Sequence, residues 1–216
     1  MNYIHFKSEF FKEICISKSR IESEFENFNF NNISRWINKN LLIRLRNGLY
    51  AFPEYLEESN IRYYLANRIY RPSYVSLQSA LSYYGLIPEA VIQIKSITSL
   101  KTNAFENRFG IFTYNTIKSD YFFGYQQKAL NSDFTFLIAE PEKAILDLLY
   151  IYSFYNTSEE ITELRLNKEI LNEIVNRNKL TEYAERYRNK ALSNRLNLLI
   201  KNYFDVKPKS NQRVFP

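Results

Sequence analysis

The chain of 216 residues has one cysteine, Cys15, and one histidine, His5. A lone cysteine excludes an intrachain disulfide. Zinc sites draw on several Cys, His or carboxylate ligands, and a serine-type triad needs a placed imidazole, so most metal and hydrolytic arrangements fall away. His5 lies in a polar stretch near the terminus and reads as a surface residue, and Cys15 reads as a small core residue. Long apolar runs are also missing. Residues 146–151 form the longest, interrupted by Asp147, far from the ~20 residues of a membrane span. His5, Lys7, Glu9, Lys12 and Glu13 break up the first sixteen positions, which denies a secretory signal its apolar centre. These absences predict a cytoplasmic protein with no membrane partner, metal or cofactor.

What is present is an ordinary globular composition, 45% hydrophobic, with a net charge of +6. The charge gives a mild preference for an anionic partner. Abundant Lys, Asn, Ile, Tyr and Phe are what AT-rich codons produce, so the 18 tyrosines and 17 phenylalanines read first as core residues.

Periodicity divides the chain. Phe6, Phe10, Phe11 and Ile14 make one apolar stripe for a helix over about 3–14. Ser17 is a good cap for a second helix whose inward residues are Ile21 and Phe25. Asn29 or Asn31 can cap a third, running to about Lys39, with Asn40 as a left-handed terminator. Residues 41–46 then alternate, Asn47-Gly48 follows, and residues 49–53 close the pattern. Asn-Gly between two β-prone runs predicts a tight hairpin with positive φ at both turn positions. Three helices and a hairpin are the order of a winged helix-turn-helix.

Pro53 with Glu54, Glu57 and Glu58 marks a boundary, giving domains at 1–55 and 56–216. A helix is expected over 59–70, stopped by Arg71-Pro72. Another is capped by Ser76 and ended by Gly85. Residues 91–98, 109–116, 121–126 and 134–138 are β-rich and predict a small, mostly antiparallel sheet. Glu140-Pro141 opens a helix buried through Ile145, Leu148, Leu149 and Tyr152. From Asn167 to about Phe204 the pattern is helical, with a polar Lys/Pro tail beyond. The fold class expected is α+β: a winged unit, then a mixed α/β domain with a helical C-terminal region.

The third helix sorts cleanly on a wheel. Ile33, Trp36 and Ile37 share the inward face. Asn31, Arg35 and Asn38 share the opposite one. Arg pairs with guanine and Asn with adenine, each for ~1–3 kcal/mol of discrimination. Ser34 and Lys39 flank the row and suit phosphates. Residues 27–53 carry Arg35, Lys39, Arg44 and Arg46 and no acid. Arg44, Arg46 and Asn47 fall on the wing, where a winged protein meets backbone or minor groove. Lys18 and Arg20 can add phosphate contacts. A solvated helix face also carries Asn and Arg, so it is the combination with an Asn-Gly wing and an acid-free stretch that predicts double-stranded DNA as partner.

Four segments carry a family resemblance. Arg46-Asn47-Gly48-Leu49-Tyr50 is similar to the "R-x-G-x-Y" hairpin of AbiEi-family antitoxins, regulators of type IV abortive-infection toxin–antitoxin pairs. Pro72-Ser73-Tyr74-Val75-Ser76, Ser79-Ala80-Leu81 and Gly85-Leu86-Ile87-Pro88 resemble that family's longest signature, in order and spacing. Phe122-Phe123-Gly124 and the run from Ala139 to Asp147 resemble two more segments, so the likeness spans about 35–150. It implies a two-domain, non-enzymatic antitoxin. The N-terminal domain would bind inverted repeats in its own promoter, and the larger domain would counter a nucleotidyltransferase-like toxin without a stable complex. The alternative is a winged-helix repressor with no toxin partner and a ligand-sensing or assembly domain.

Physically these motifs read as structural: a helix stop at Pro72, a cap at Ser76, close packing at Ala80. Glu142, Lys143, Asp147 and Asp133 are also candidate nuclease ligands, but metal-dependent nucleases of the common type place Glu-x-Lys on a strand, and here Glu142 and Lys143 are adjacent on a helix. Residues 161–216 hold twelve basic and six acidic side chains, with Arg186, Arg188, Lys190 and Arg195 clustered. The cluster reads as solvated helix faces or as a second electrostatic surface, for DNA flanks or for RNA or nucleotide held by the toxin.

Overall fold

A computed structural model describes residues 1–89 and 91–204; the Lys/Pro tail, with Lys207, Lys209 and Arg213, lies outside them. The chain is a mixed α+β protein. It opens with helix α1 (Tyr3–Phe10), capped by the Asn2 side chain accepting from the His5 amide. A short 3-10 turn follows, and Ile14 at φ 61° ends the helical path earlier than the apolar stripe suggests. Strand β1 (Cys15–Ser17), which no alternation announced, comes next. Helix α2 (Lys18–Glu24) is capped by Ser17 Oγ accepting from the Arg20 amide. Helix α3 (Asn31–Asn38) ends near Asn40, which adopts φ 58°. Strands β2 (Ile43–Arg46) and β3 (Leu49–Ala51) complete an antiparallel sheet ordered β1-β3-β2.

This small sheet is a wall between two cores, because side chains alternate across a strand. On one side Ile16, Tyr50 and Phe52 join Phe6, Phe10, Ile21, Ile33, Trp36 and Leu42. Trp36 is the hub, with the Phe6 ring at 4.7 Å and the Tyr3 ring at 5.6 Å. On the other side Cys15, Ile43, Leu45, Leu49 and Ala51 enter the large core formed with the rest of the chain.

The second region begins with helix α4 (Ile61–Ile69), strand β4 (Ser73–Val75) and helix α5 (Leu77–Tyr83). Strands β5 (Ile94–Thr98), β6 (Asn103–Asn107), β7 (Gly110–Thr116), β8 (Tyr125–Ala129) and β9 (Thr135–Ala139) follow. Together they form a six-stranded sheet ordered β6-β7-β5-β4-β9-β8. Three pairings are antiparallel, and two, β5 with β7 and β4 with β9, are parallel. The hairpin β6–β7 swings outward so that β7 returns alongside β5 in the same direction, which makes the sheet larger and more mixed than alternation alone suggested. Helix α4 lies across β4, β5 and β9, and α5 packs on β5.

Helix α6 (Pro141–Ile151), with Pro141 in its first turn, packs on α5. Four helices follow: α7 (Ser158–Thr162), α8 (Lys168–Ile174), α9 (Arg177–Arg186) and α10 (Lys190–Tyr203). The expected helical stretch beyond Asn167 is thus three helices, restarted at Asn176 and Asn189, whose side chains cap α9 and α10. No helix among the described residues is long and apolar enough to cross a membrane.

Candidate nucleic-acid interface

Helix α3 presents the row its wheel requires. Asn31, Ser34, Arg35, Asn38 and Lys39 are exposed, while Ile33 and Trp36 are buried beneath them. Tyr3 donates to the Leu41 carbonyl at 3.0 Å and ties α1 to the end of α3. Arg35 donates to Asn32 Oδ1, which holds the guanidinium along the helix. The row is fixed from below and open from above.

The β2–β3 hairpin departs from its expected form. Gly48 has φ 72°, but Asn47 stays out of the left-handed region. The register shifts between Arg44 and Arg46, with Leu45 taken up as an extra residue. Such a bulge re-aims a side chain. Arg44 pairs opposite Tyr50, whereas Arg46 pairs opposite Leu49 and lines a cavity of about 370 Å3 with Asn47, Arg68, Tyr70 and Arg71. Arg44, Arg46 and Asn47 are all exposed, but the register shift puts the two arginines on different faces of the hairpin.

Lys18 and Arg20 divide. The Lys18 amide donates to the Gly48 carbonyl at 2.8 Å and joins α2 to the β2–β3 turn. Its side chain is exposed, near Glu22 at 3.5 Å. Arg20 is clamped by Glu13 at 2.9 Å and Glu24 at 2.6 Å and lies over the Phe10 ring. These carboxylates favour its charged form and raise its pKa. Arg20 thus spends Nε and Nη1 on protein carboxylates, unlike the exposed Arg35 and Lys39.

One cation was not anticipated. Arg108, exposed at the turn between β6 and β7, donates to Asn40 Oδ1 at 3.3 Å. Asn107 next to it donates to the Leu45 carbonyl at 3.1 Å. A hairpin some sixty residues away in sequence thus adds a positive charge at the end of α3. No local pattern around Arg108 signals this.

The C-terminal basic cluster is also revised. Arg186, Arg188 and Lys190 are exposed, with the Arg186 guanidinium 3.5 Å over the Phe123 ring. Arg195 is 9% exposed; it donates to Asn156 Oδ1 at 2.9 Å and to the Leu149 carbonyl at 3.0 Å, stitching α10 to α6. It belongs to the core, not to a surface.

The other polar constellation is buried. Lys143 and Asp147, one turn apart on α6, are both 0% exposed and paired. Asp147 Oδ1 also accepts from the Tyr187 hydroxyl at 2.9 Å. Asp147 Oδ2 accepts from Tyr74 at 3.0 Å and from Ser76 at 2.8 Å. Ser76 therefore does not cap α5 with its side chain; the hydroxyl is spent on the carboxylate. The Lys143 ammonium lies within 5.6 Å of the Tyr74, Phe123 and Tyr187 ring centres. Burial pushes the lysine's pKa down, opposed by Asp147. Gly124, at φ 70°, has no room for a side chain, since a Cβ would meet Tyr183 at 2.8 Å and Lys143 at 3.1 Å.

Three of the quoted segments thus converge on one network, with Tyr187 from outside them. Glu142 accepts from the Asn176 amide at 2.8 Å, and Asp133 lies exposed in the β8–β9 turn. Among the described residues no three His, Cys, Asp or Glu side chains form a metal-holding group.

No protein-family model matches the chain, and no curated protein sequence matches it.

Proposed function

We propose that the protein is a DNA-binding antitoxin that represses its own operon and counters a nucleotidyltransferase-like toxin. The observation that carries the DNA-binding half is the exposed row Asn31, Arg35 and Asn38 on α3, flanked by Lys39, Arg44 and Arg108. The element order helix, strand, helix, helix and hairpin, closed as a three-stranded sheet, supports reading the unit as a winged helix-turn-helix with α3 in the major groove. Base edges then fall to Arg35 and the two asparagines, and phosphates to Ser34, Lys39, Arg44 and Lys18. The antitoxin half rests on the resemblance of the segments around Tyr74, Phe123 and Lys143.

The test is operator binding. Arg35→Ala is expected to weaken binding to the promoter repeats more than to random DNA; equal loss on every sequence removes the base-reading role. Rescue of growth from the toxin encoded beside it, by the full chain but not by an empty vector, tests the antitoxin half. One observation favours the competing reading, a ligand-sensing repressor without a toxin: a cleft of about 690 Å3 lies where Lys12, Glu13 and Cys15 face the second region.

A further inference from the structure

That cleft is lined from both sides. The N-terminal unit contributes Lys12, Glu13 and Cys15; α4, the link after it and β4 contribute Arg68, Arg71 and Ser73; β8 and β9 contribute Tyr125 and Thr135. Its volume lies within the ~300–1,000 Å3 of ordinary ligand sites. Its charge is uneven. Glu13 is held by Arg20, which leaves Asp133 on the rim against Lys12, Arg68 and Arg71. Neither Arg68 nor Arg71 makes an ion pair among the described residues. Partial desolvation first, and the neighbouring Arg68 charge next, lower the Arg71 pKa. Arg68 is held over the Tyr64 ring, and Arg71 donates through Nε to the Asn67 carbonyl at 3.2 Å. Both guanidinium groups are oriented and line the cleft with no carboxylate paired to them among the described residues, and a planar guanidinium fork suits a phosphate.

The remaining lining fits a heteroaromatic ring. Phe122, Tyr125 and Phe134 are half-buried, with Phe122 and Tyr125 at 5.4 Å and Tyr125 stacked on Tyr74 at 4.8 Å. Ser73 lines the same cleft and is 3% exposed, and its hydroxyl has no hydrogen-bond partner. An unmatched buried hydroxyl is rare, because it carries a desolvation cost. From these features we infer that the cleft is a nucleotide site, with Arg68 and Arg71 on the phosphate and Phe122, Tyr125 and Phe134 around the base. The site is distinct from the DNA-contacting row on α3 and does not depend on it.

Calorimetric titration of the full chain with AMP, GMP, CMP and UMP tests the assignment, with adenosine and inorganic phosphate as partial ligands. At least one nucleotide is expected to bind below about 1 mM, more tightly than either partial ligand. Arg71→Ala is expected to raise its Kd about tenfold or more, the loss of a charge-assisted contact, with Arg71→Lys between the two. Arg71 is exposed, so both variants are expected to melt as the parent does; Arg68→Ala is the second, independent probe. Absence of binding by all four nucleotides overturns the inference. Equal binding of phosphate and nucleotide overturns it as well, since that describes an anion site without a base. Unchanged affinity in folded Arg71→Ala and Arg68→Ala places the nucleotide elsewhere and does the same.

Discussion

Two polar clusters of this protein do opposite things with similar residue types. On α3, Asn31, Arg35 and Asn38 face solvent, and Arg35 is held only by its helix neighbour Asn32. On α6, Lys143 and Asp147 are sealed, with Asp147 accepting from Lys143, Tyr187, Tyr74 and Ser76. A charge left in water keeps donors available for a partner, whereas a buried charge must be satisfied within the fold, or its desolvation goes uncompensated. The segments most conspicuous in the sequence feed the sealed cluster. The open cluster is made of residues that any solvated helix carries.

The comparison can be broken most directly at Asp147. Asp147→Ala leaves Lys143 buried without its carboxylate and is expected to cost ~3–5 kcal/mol in urea unfolding. Lys143→Met with Asp147→Leu, which removes both charges, is expected to recover most of that loss. A single variant as stable as the parent would show that the network holds nothing together. On α3 the expectation is reversed: Arg35→Ala and Asn38→Ala change specific DNA affinity by ~1–3 kcal/mol each. Their unfolding is expected to stay within ~0.5 kcal/mol of the parent.

A pH titration sharpens the contrast further. Burial first, and for Tyr74 and Tyr187 the Asp147 carboxylate next, hold the Tyr74, Tyr114 and Tyr187 phenols well above their ordinary range. The folded chain keeps these protons above pH ~10, where the unfolded chain releases them. Their stabilisation is therefore complete below pH ~10 and is lost as pH rises beyond it, each phenol steepening the fall by ~1.4 kcal/mol per pH unit. Urea midpoints at pH 8, 10 and 11 check this; a flat profile would mean the phenols are accessible in the folded state. The smallest effect belongs to the β2–β3 hairpin. Arg44→Ala is expected to flatten the salt dependence of DNA binding by about one unit of log–log slope. Arg46→Ala is expected to flatten it less, because the bulge turns Arg46 toward Arg68 and Arg71.

Much of the N-terminal unit was legible from sequence for local reasons. The i, i+4 apolar spacing, the Ser17 cap and the left-handed Asn40 all act within one or two turns of chain. Strand β1 was not legible, since three residues cannot display a period and Cys15–Ser17 is a strand only because β3 lies beside it. The same holds for β4, whose Tyr74 and Val75 are buried between β5 and β9. The burial of Arg195 and the carboxylate partners of Arg20 were not legible because a basic side chain looks alike in sequence whether it meets water, a carboxylate or a backbone carbonyl. Arg108 was missed because it reaches Asn40 only through the pairing of β6 and β7.

By itself the sequence determined the helices with a sustained apolar stripe, the Gly48 turn, the outward row of α3 and the exclusion of a disulfide within these 216 residues. Each depends on composition or on contacts a few residues apart. The tertiary structure alone decided the parallel pairings of the large sheet, the sealing of Lys143 with Asp147 and the turning of Arg46 away from Arg44. It also brought Arg68, Arg71 and Ser73 to face Cys15 across one cleft. These depend on which distant strands and helices come to lie together, which no local period encodes.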